Sequence, residues 1–96
     1  MGECRSLAEV RDRIDRLDET IAGLLSQRSD LVRQAARFKD SEAAVVVPER
    51  IEAIIGKVRA VARQAGAEED LLEAIYRSMI NIFIEFEKTA WHRLKS

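Results

Sequence analysis

The 96-residue chain predicts an all-α protein of three helices, long, short and long. Three observations predict it. Apolar residues recur at alternating steps of three and four through two long stretches, the spacing that lines one side of a helix. Only four glycines and one proline interrupt the chain, so helix breakers are scarce. Apolar residues make up 47% and charged residues 34%, the balance of helices with one buried and one solvated side.

The first helix is expected over residues 7–39. Ser6-Leu7-Ala8-Glu9 reads as a capping box, in which serine and glutamate satisfy the first orphan amides. The stripe that follows is Leu7, Val10, Ile14, Leu17, Ile21, Leu24, position 28, Leu31, Ala35 and Phe38. Gly23 costs roughly 1 kcal/mol against alanine and does not stop the helix. The result is a rod of about 50 Å at 1.5 Å per residue. The rest of the chain is too short to cover it, so part of the stripe is expected to pack on another copy.

Residues 40–47 break the pattern. The valine triplet prefers extended backbone, and a residue before proline disfavours helix. Pro48 suits the first position of a second helix, with Glu49 in its first turn. Its apolar side is Ile51, Ile54, Ile55, Val58, Val61 and Ala65, and Gly66 is its expected C-terminal cap. Glu68, Glu69 and Asp70 place acid at the start of a third helix that runs to about residue 94. Its stripe is Leu72, Ile75, Tyr76, Met79, Ile80, Phe83, position 87, Trp91 and Leu94.

The net charge is −1 with both signs interspersed, so no general attraction to nucleic acid or to an anionic membrane is expected. A single cysteine, Cys4, leaves no intramolecular disulfide and fits a reducing compartment. The first ten residues lack the apolar core of a signal peptide, and no run reaches transmembrane length. A cytoplasmic protein is expected. No internal repeat or low-complexity tract is present, and residues 1–96 read as one domain.

Two stripe positions hold charges, Arg28 and Glu87. A buried charge is costly unless paired and hydrogen-bonded. Three structural explanations stand: mutual pairing or pairing with other helices, snorkelling to solvent, or fixing the register of an oligomer. The functional alternative is a polar pocket inside the bundle, where Arg28 awaits an anionic ligand. Lys39 lies eleven residues after Arg28. At about 100° per residue that returns to the same side within about 20°, some 16 Å further along. Two long cationic side chains there can converge on one ligand. Arg11 lies seventeen residues before Arg28, about 100° around the helix and roughly 25 Å away. From its own chain it cannot easily reach that ligand, whereas in a two-fold dimer it can reach the ligand held by the partner. Read alone, Arg11 is better explained as a solvated surface arginine.

Other chemistries lack their residues. There is no glycine-rich phosphate loop. Cys4 and His92 are each the sole residue of their kind, which disfavours a zinc site or a Cys–His nucleophile. No metal and no cofactor are expected. His92 sits where a helix dipole favours a cation, and Phe83, Phe86 and Trp91 read as core.

The segments VRDRIDRLDETIAGLLSQR, ARFKDSEA and PERIEA together resemble the all-α chorismate mutase family over nearly the whole chain. ARFKDSEAAVVVPER is similar to the subgroup that includes the isochorismate pyruvate lyases. The resemblance implies an intertwined homodimer with two equivalent sites for a small dicarboxylate. Arg28 and Lys39 would come from one chain and Arg11 from the other. The two arginines would bind the substrate's carboxylates, a task suited to bidentate guanidinium pairing. Lys39 and residue 87 would hydrogen-bond the ether oxygen of the enolpyruvyl group.

Chorismate mutase activity is the leading expectation, with the lyase and a mutase of aminated chorismate analogues as alternatives. A helical oligomerisation module pinned by Arg28 is the non-enzymatic one. The chain departs from the family pattern in two places. Many relatives carry Gln where this chain has Glu87, and only a protonated Glu87 can donate to the ether oxygen. Turnover should then fall as pH rises through the ionisation of Glu87. The loop before Pro48 is shorter than in many mutases, and Pro48 stands near where those enzymes carry another arginine. Glu49 and Arg50 are expected to replace it in part, toward a ring hydroxyl and a carboxylate, and read equally as solvated helix-start charges.

Overall fold

The computed structural model describes residues 2–96. It contains three α-helices, α1 (Leu7–Ala36), α2 (Pro48–Ala65) and α3 (Glu69–Lys95), with one 3-10 turn, Ala43–Val45, before α2. Among the described residues there is no strand, and no helix is long and apolar enough to cross a membrane. The chain divides into two units, the first ending at Leu31 and the second running Val32–Ser96.

The first unit is the body of α1. Ser6 Oγ accepts the Glu9 amide at 3.1 Å, the expected cap. The reciprocal bond differs from the expectation, because the Glu9 carboxylate accepts from the Arg5 amide, one residue earlier than a capping box requires. The apolar stripe of this unit is open to solvent in the chain: Leu17 is 56% exposed and Leu24 58%.

The second unit holds the end of α1, the turn, α2 and α3. Helix α2 begins with Pro48 in its first turn, as expected. It ends at Gly66, whose φ of 71° is a left-handed conformation that costs glycine little. The Ala67 amide reaches the Ala62 carbonyl at 2.8 Å and the Gly66 amide reaches Arg63 at 3.2 Å, the paired bonds of a Schellman cap. The chain then reverses and α3 packs back on α2. The buried apolar side chains are Ala36, Val45, Ile55, Ala62, Ile80 and Ala90, all small or medium.

An ionic ladder runs along the α2–α3 seam. Arg77 grips Glu52 with two bonds of 3.0 and 2.9 Å and also reaches Glu73 at 2.7 Å. Arg59 bridges Glu73 at 2.7 Å and Asp70 at 2.9 Å, and Arg63 pairs with Glu69 at 3.0 Å. The guanidinium bonds hold three carboxyls below their ordinary range: Glu52 through Arg77, Glu69 through Arg63, and Glu73 through Arg77 and then Arg59. A carboxyl lowered in the folded state binds its proton more readily when unfolded. Its contribution is present above the ordinary value of 4.5 and is lost as pH falls through the lower folded value. Thermal melting followed between about pH 6 and pH 3 should therefore show Tm falling on the acid side. Arg77→Met, which removes the guanidinium shared by Glu52 and Glu73, should flatten that limb. An unchanged acid limb would mean that the ladder contributes no linkage.

The end of α1 corrects one expectation. The helix stops at Ala36 and does not reach Lys39. Amides 37, 38 and 39 bond to carbonyls 34, 35 and 36 at 3.0–3.2 Å, three successive steps of the tighter 3-10 kind. Each such residue turns about 120° in place of 100°, so Lys39 departs by about 60° from the helical side computed from Arg28. Asp40 and Ser41 favour a turn here, and Ser41 Oγ accepts the Ala44 amide at 3.2 Å. Residues 40–47, expected as a plain loop, thus include the Ala43–Val45 turn, while Val46 and Val47 are extended before Pro48 as expected.

Candidate active site

Glu87 lies on the buried side of α3, seven residues after Ile80 and three before Ala90. It is 9% exposed, the one charged residue reaching core burial among those described. Such a carboxylate needs a partner. Lys39 supplies it: its ammonium donates to Glu87 Oε2 at 3.0 Å. Lys39 itself is half-buried. The structure therefore brings together the two residues expected at the ether oxygen, and pairs Glu87 with Lys39. An ammonium carries three donors, of which Glu87 takes one.

Lys39 is held at its main chain as well. The Trp91 indole N–H donates to the Lys39 carbonyl at 3.0 Å. His92, the next residue, pairs through Nε2 with the Glu42 carboxylate. Thus α3 touches the 39–42 segment at Glu87, Trp91 and His92. Local spacing alone places Trp91 in the core and His92 as a charge at the helix end. The 52-residue separation of Trp91 from Lys39 carries no local periodic signal.

The remaining candidates are placed by their elements. Arg11 is exposed and Arg28 half-buried, both on the α1 body. Seventeen residues of continuous helix keep them about 25 Å apart along the axis, so they cannot meet on one ligand within a single chain. Glu49 and Arg50 are exposed in the first turn of α2. That end of α2 borders α3 across a surface cavity of about 220 Å³ lined by Pro48, Ile51, Glu52, Arg77, Ile80 and Asn81. Ile80 precedes Glu87 by seven residues, about 10 Å of helix. Among the described residues, neither Glu49 nor Arg50 forms a hydrogen bond or ion pair with Lys39 or Glu87, which pair with each other.

The family model described as chorismate mutase type II matches residues 10–88, a span that includes Arg11, Arg28, Lys39 and Glu87. An isochorismate pyruvate lyase of Pseudomonas aeruginosa is 33% identical over 93 residues, covering 97% of this chain and 92% of that protein. A chorismate mutase of Methanocaldococcus jannaschii is 28% identical over 75 residues, 77% of this chain and 76% of that one. A bifunctional chorismate mutase/prephenate dehydratase of Aquifex aeolicus is 31% identical over 86 residues, 85% of this chain but only 24% of the longer protein. The three-helix order agrees with a family match that spans most of the sequence, and the chain belongs to the chorismate mutase type II family.

Proposed function

We propose that the protein binds chorismate and catalyses its concerted rearrangement to prephenate, in a cationic site completed by a second copy of the chain. The ion pair between half-buried Lys39 and buried Glu87 carries this reading. In the rearrangement the ether C–O bond breaks as a C–C bond forms, and negative charge grows on the ether oxygen. No covalent intermediate is needed. Rate comes from holding a compact conformer and from donors aimed at that oxygen. Lys39 is the cationic donor. Arg28 and Arg11 bind the two carboxylates, Arg11 from the partner copy. The exposed stripe of α1 supports the dimer, because exposed leucines at this density favour burial against a second apolar surface.

Glu87 sets the condition under which the site works. Protonated, it is a second donor to the ether oxygen. Ionised, it holds Lys39 and repels the growing charge. Glu87→Gln keeps the shape and supplies a neutral donor. The Gln variant should turn over about tenfold faster than wild type. Prephenate formation by the two proteins, measured side by side, decides this. A Gln variant slower than wild type would remove Glu87 from the donor role.

A second reading is favoured by the 33% identity to the Pseudomonas aeruginosa lyase. There, isochorismate would lose pyruvate by a concerted hydrogen transfer from ring to enolpyruvyl carbon, leaving salicylate. The same cations serve both reactions. Purified protein given chorismate and isochorismate separately tests the proposal: prephenate supports the mutase, and salicylate with little prephenate assigns the lyase.

A further inference from the structure

We propose that Trp91 is a positioning residue that sets the reach of Lys39. This rests on the reading of Lys39 as the donor to the ether oxygen. Lys39 is not carried by a helix, since α1 ends at Ala36 and the 3-10 turn begins only at Ala43. Its amide bonds back to Ala36, while its carbonyl and its ammonium are held by tertiary contacts. The Trp91 indole N–H holds the Lys39 carbonyl at 3.0 Å, and Glu87 holds the ammonium at 3.0 Å. Glu87 and Trp91 are four residues apart on α3, one turn and about 6 Å. The lysine stem therefore runs back along one turn of α3, anchored at both ends.

The two anchors have different fates during turnover. Substrate competes with Glu87 for the ammonium. The carbonyl anchor meets no such competitor. When the ammonium turns to the ether oxygen, the Trp91 bond is what keeps the lysine backbone in register. The Trp91 ring is itself seated by neighbours: His92 packs edge-on at 5.1 Å between centroids, and the Lys95 ammonium lies 5.6 Å from its centroid. The His92–Glu42 pair braces the same segment three residues further on, but both side chains are largely exposed and such a pair contributes little. Trp91 is the anchor that matters.

Trp91→Phe keeps a ring in place and deletes only the donor. The expected result is a fall of about tenfold in kcat with KM nearly unchanged, because a slightly displaced donor weakens transition-state contacts most. In a Lys39→Met background the same substitution should add almost nothing, since its effect passes through Lys39. An equal loss in both backgrounds would overturn the proposal and leave Trp91 a structural residue. A readout independent of activity uses the unmutated chain. Trp91 is its only tryptophan, so one indole N–H resonance is observed by NMR. That proton should exchange slowly with solvent, and Trp91→Phe should speed amide exchange across residues 39–47. A fast-exchanging indole, or unchanged exchange in the loop, would overturn the anchor. If the unmutated chain turned over neither chorismate nor isochorismate, the proposed function would fail, and the two exchange measurements would still decide the anchor.

Discussion

Lys39→Met is expected to lower kcat by about 10²–10³-fold, the loss seen when one donor to a developing oxyanion is removed. Methionine has nearly the length of the lysine stem and no donor. The substitution also strands Glu87, which is 9% exposed, without its cation. Breaking a buried pair from one side costs about 3 kcal/mol or more, so Tm should fall as well. A second variant separates the two effects. Lys39→Met/Glu87→Leu replaces both charges by apolar groups, and such replacements of buried pairs are often neutral or stabilising. The double variant should recover most of the lost Tm and none of the lost turnover. If turnover returned with Tm, Lys39 would be a structural cation only.

The contrast between Lys39 and the helices shows what a linear sequence discloses. Helix existence was legible because each helix announces itself through local spacing and end chemistry. Ser6 caps α1, Pro48 opens α2, and Gly66 closes it in the left-handed conformation that the position needs. Glu87 was legible as a candidate for the same reason: a charge on an apolar stripe violates the local rule, and such violations gather at functional sites. The end of α1 was not legible. Nothing before Lys39 is a strong breaker. The helix tightens over residues 37–39 where distant groups, among them the indole of Trp91, engage the segment.

The pairings depend still more on tertiary structure. The sequence offered Arg28 and Glu87 as possible mutual partners, yet Glu87 takes Lys39, forty-eight residues away and off the helix. The seam ladder of Glu52, Arg59, Arg63, Glu69, Glu73 and Arg77 was likewise unseen. Charges at those positions satisfy the pattern of a solvated side equally well. Only the reversal at Gly66 selects which residues of α2 face which residues of α3.

Mixing two inactive variants is expected to restore about a quarter of wild-type turnover. In the proposed site each arginine binds one substrate carboxylate, so Arg11→Ala and Arg28→Ala should each lose roughly 10³-fold in kcat/KM, charge-assisted bonds of this kind being worth several kcal/mol together. Arg11 and Arg28 stand about 25 Å apart on one continuous helix, so one chain cannot bring both to a single substrate. In the proposed two-fold dimer each site would take Arg28 from one protomer and Arg11 from the other. A mixed dimer then has one site with both arginines and one with neither. Random reassortment makes half of all dimers mixed, and half of their sites complete. The single variants should be combined after dissociation in mild denaturant and returned to buffer, with each variant alone treated in the same way. Recovery in the mixture alone requires a site shared between chains. No recovery, with dimers shown to have exchanged, would place each site within one chain and exclude Arg11 from it. On α1, Arg11 is exposed and Arg28 half-buried, so both variants should keep the stability that the experiment needs.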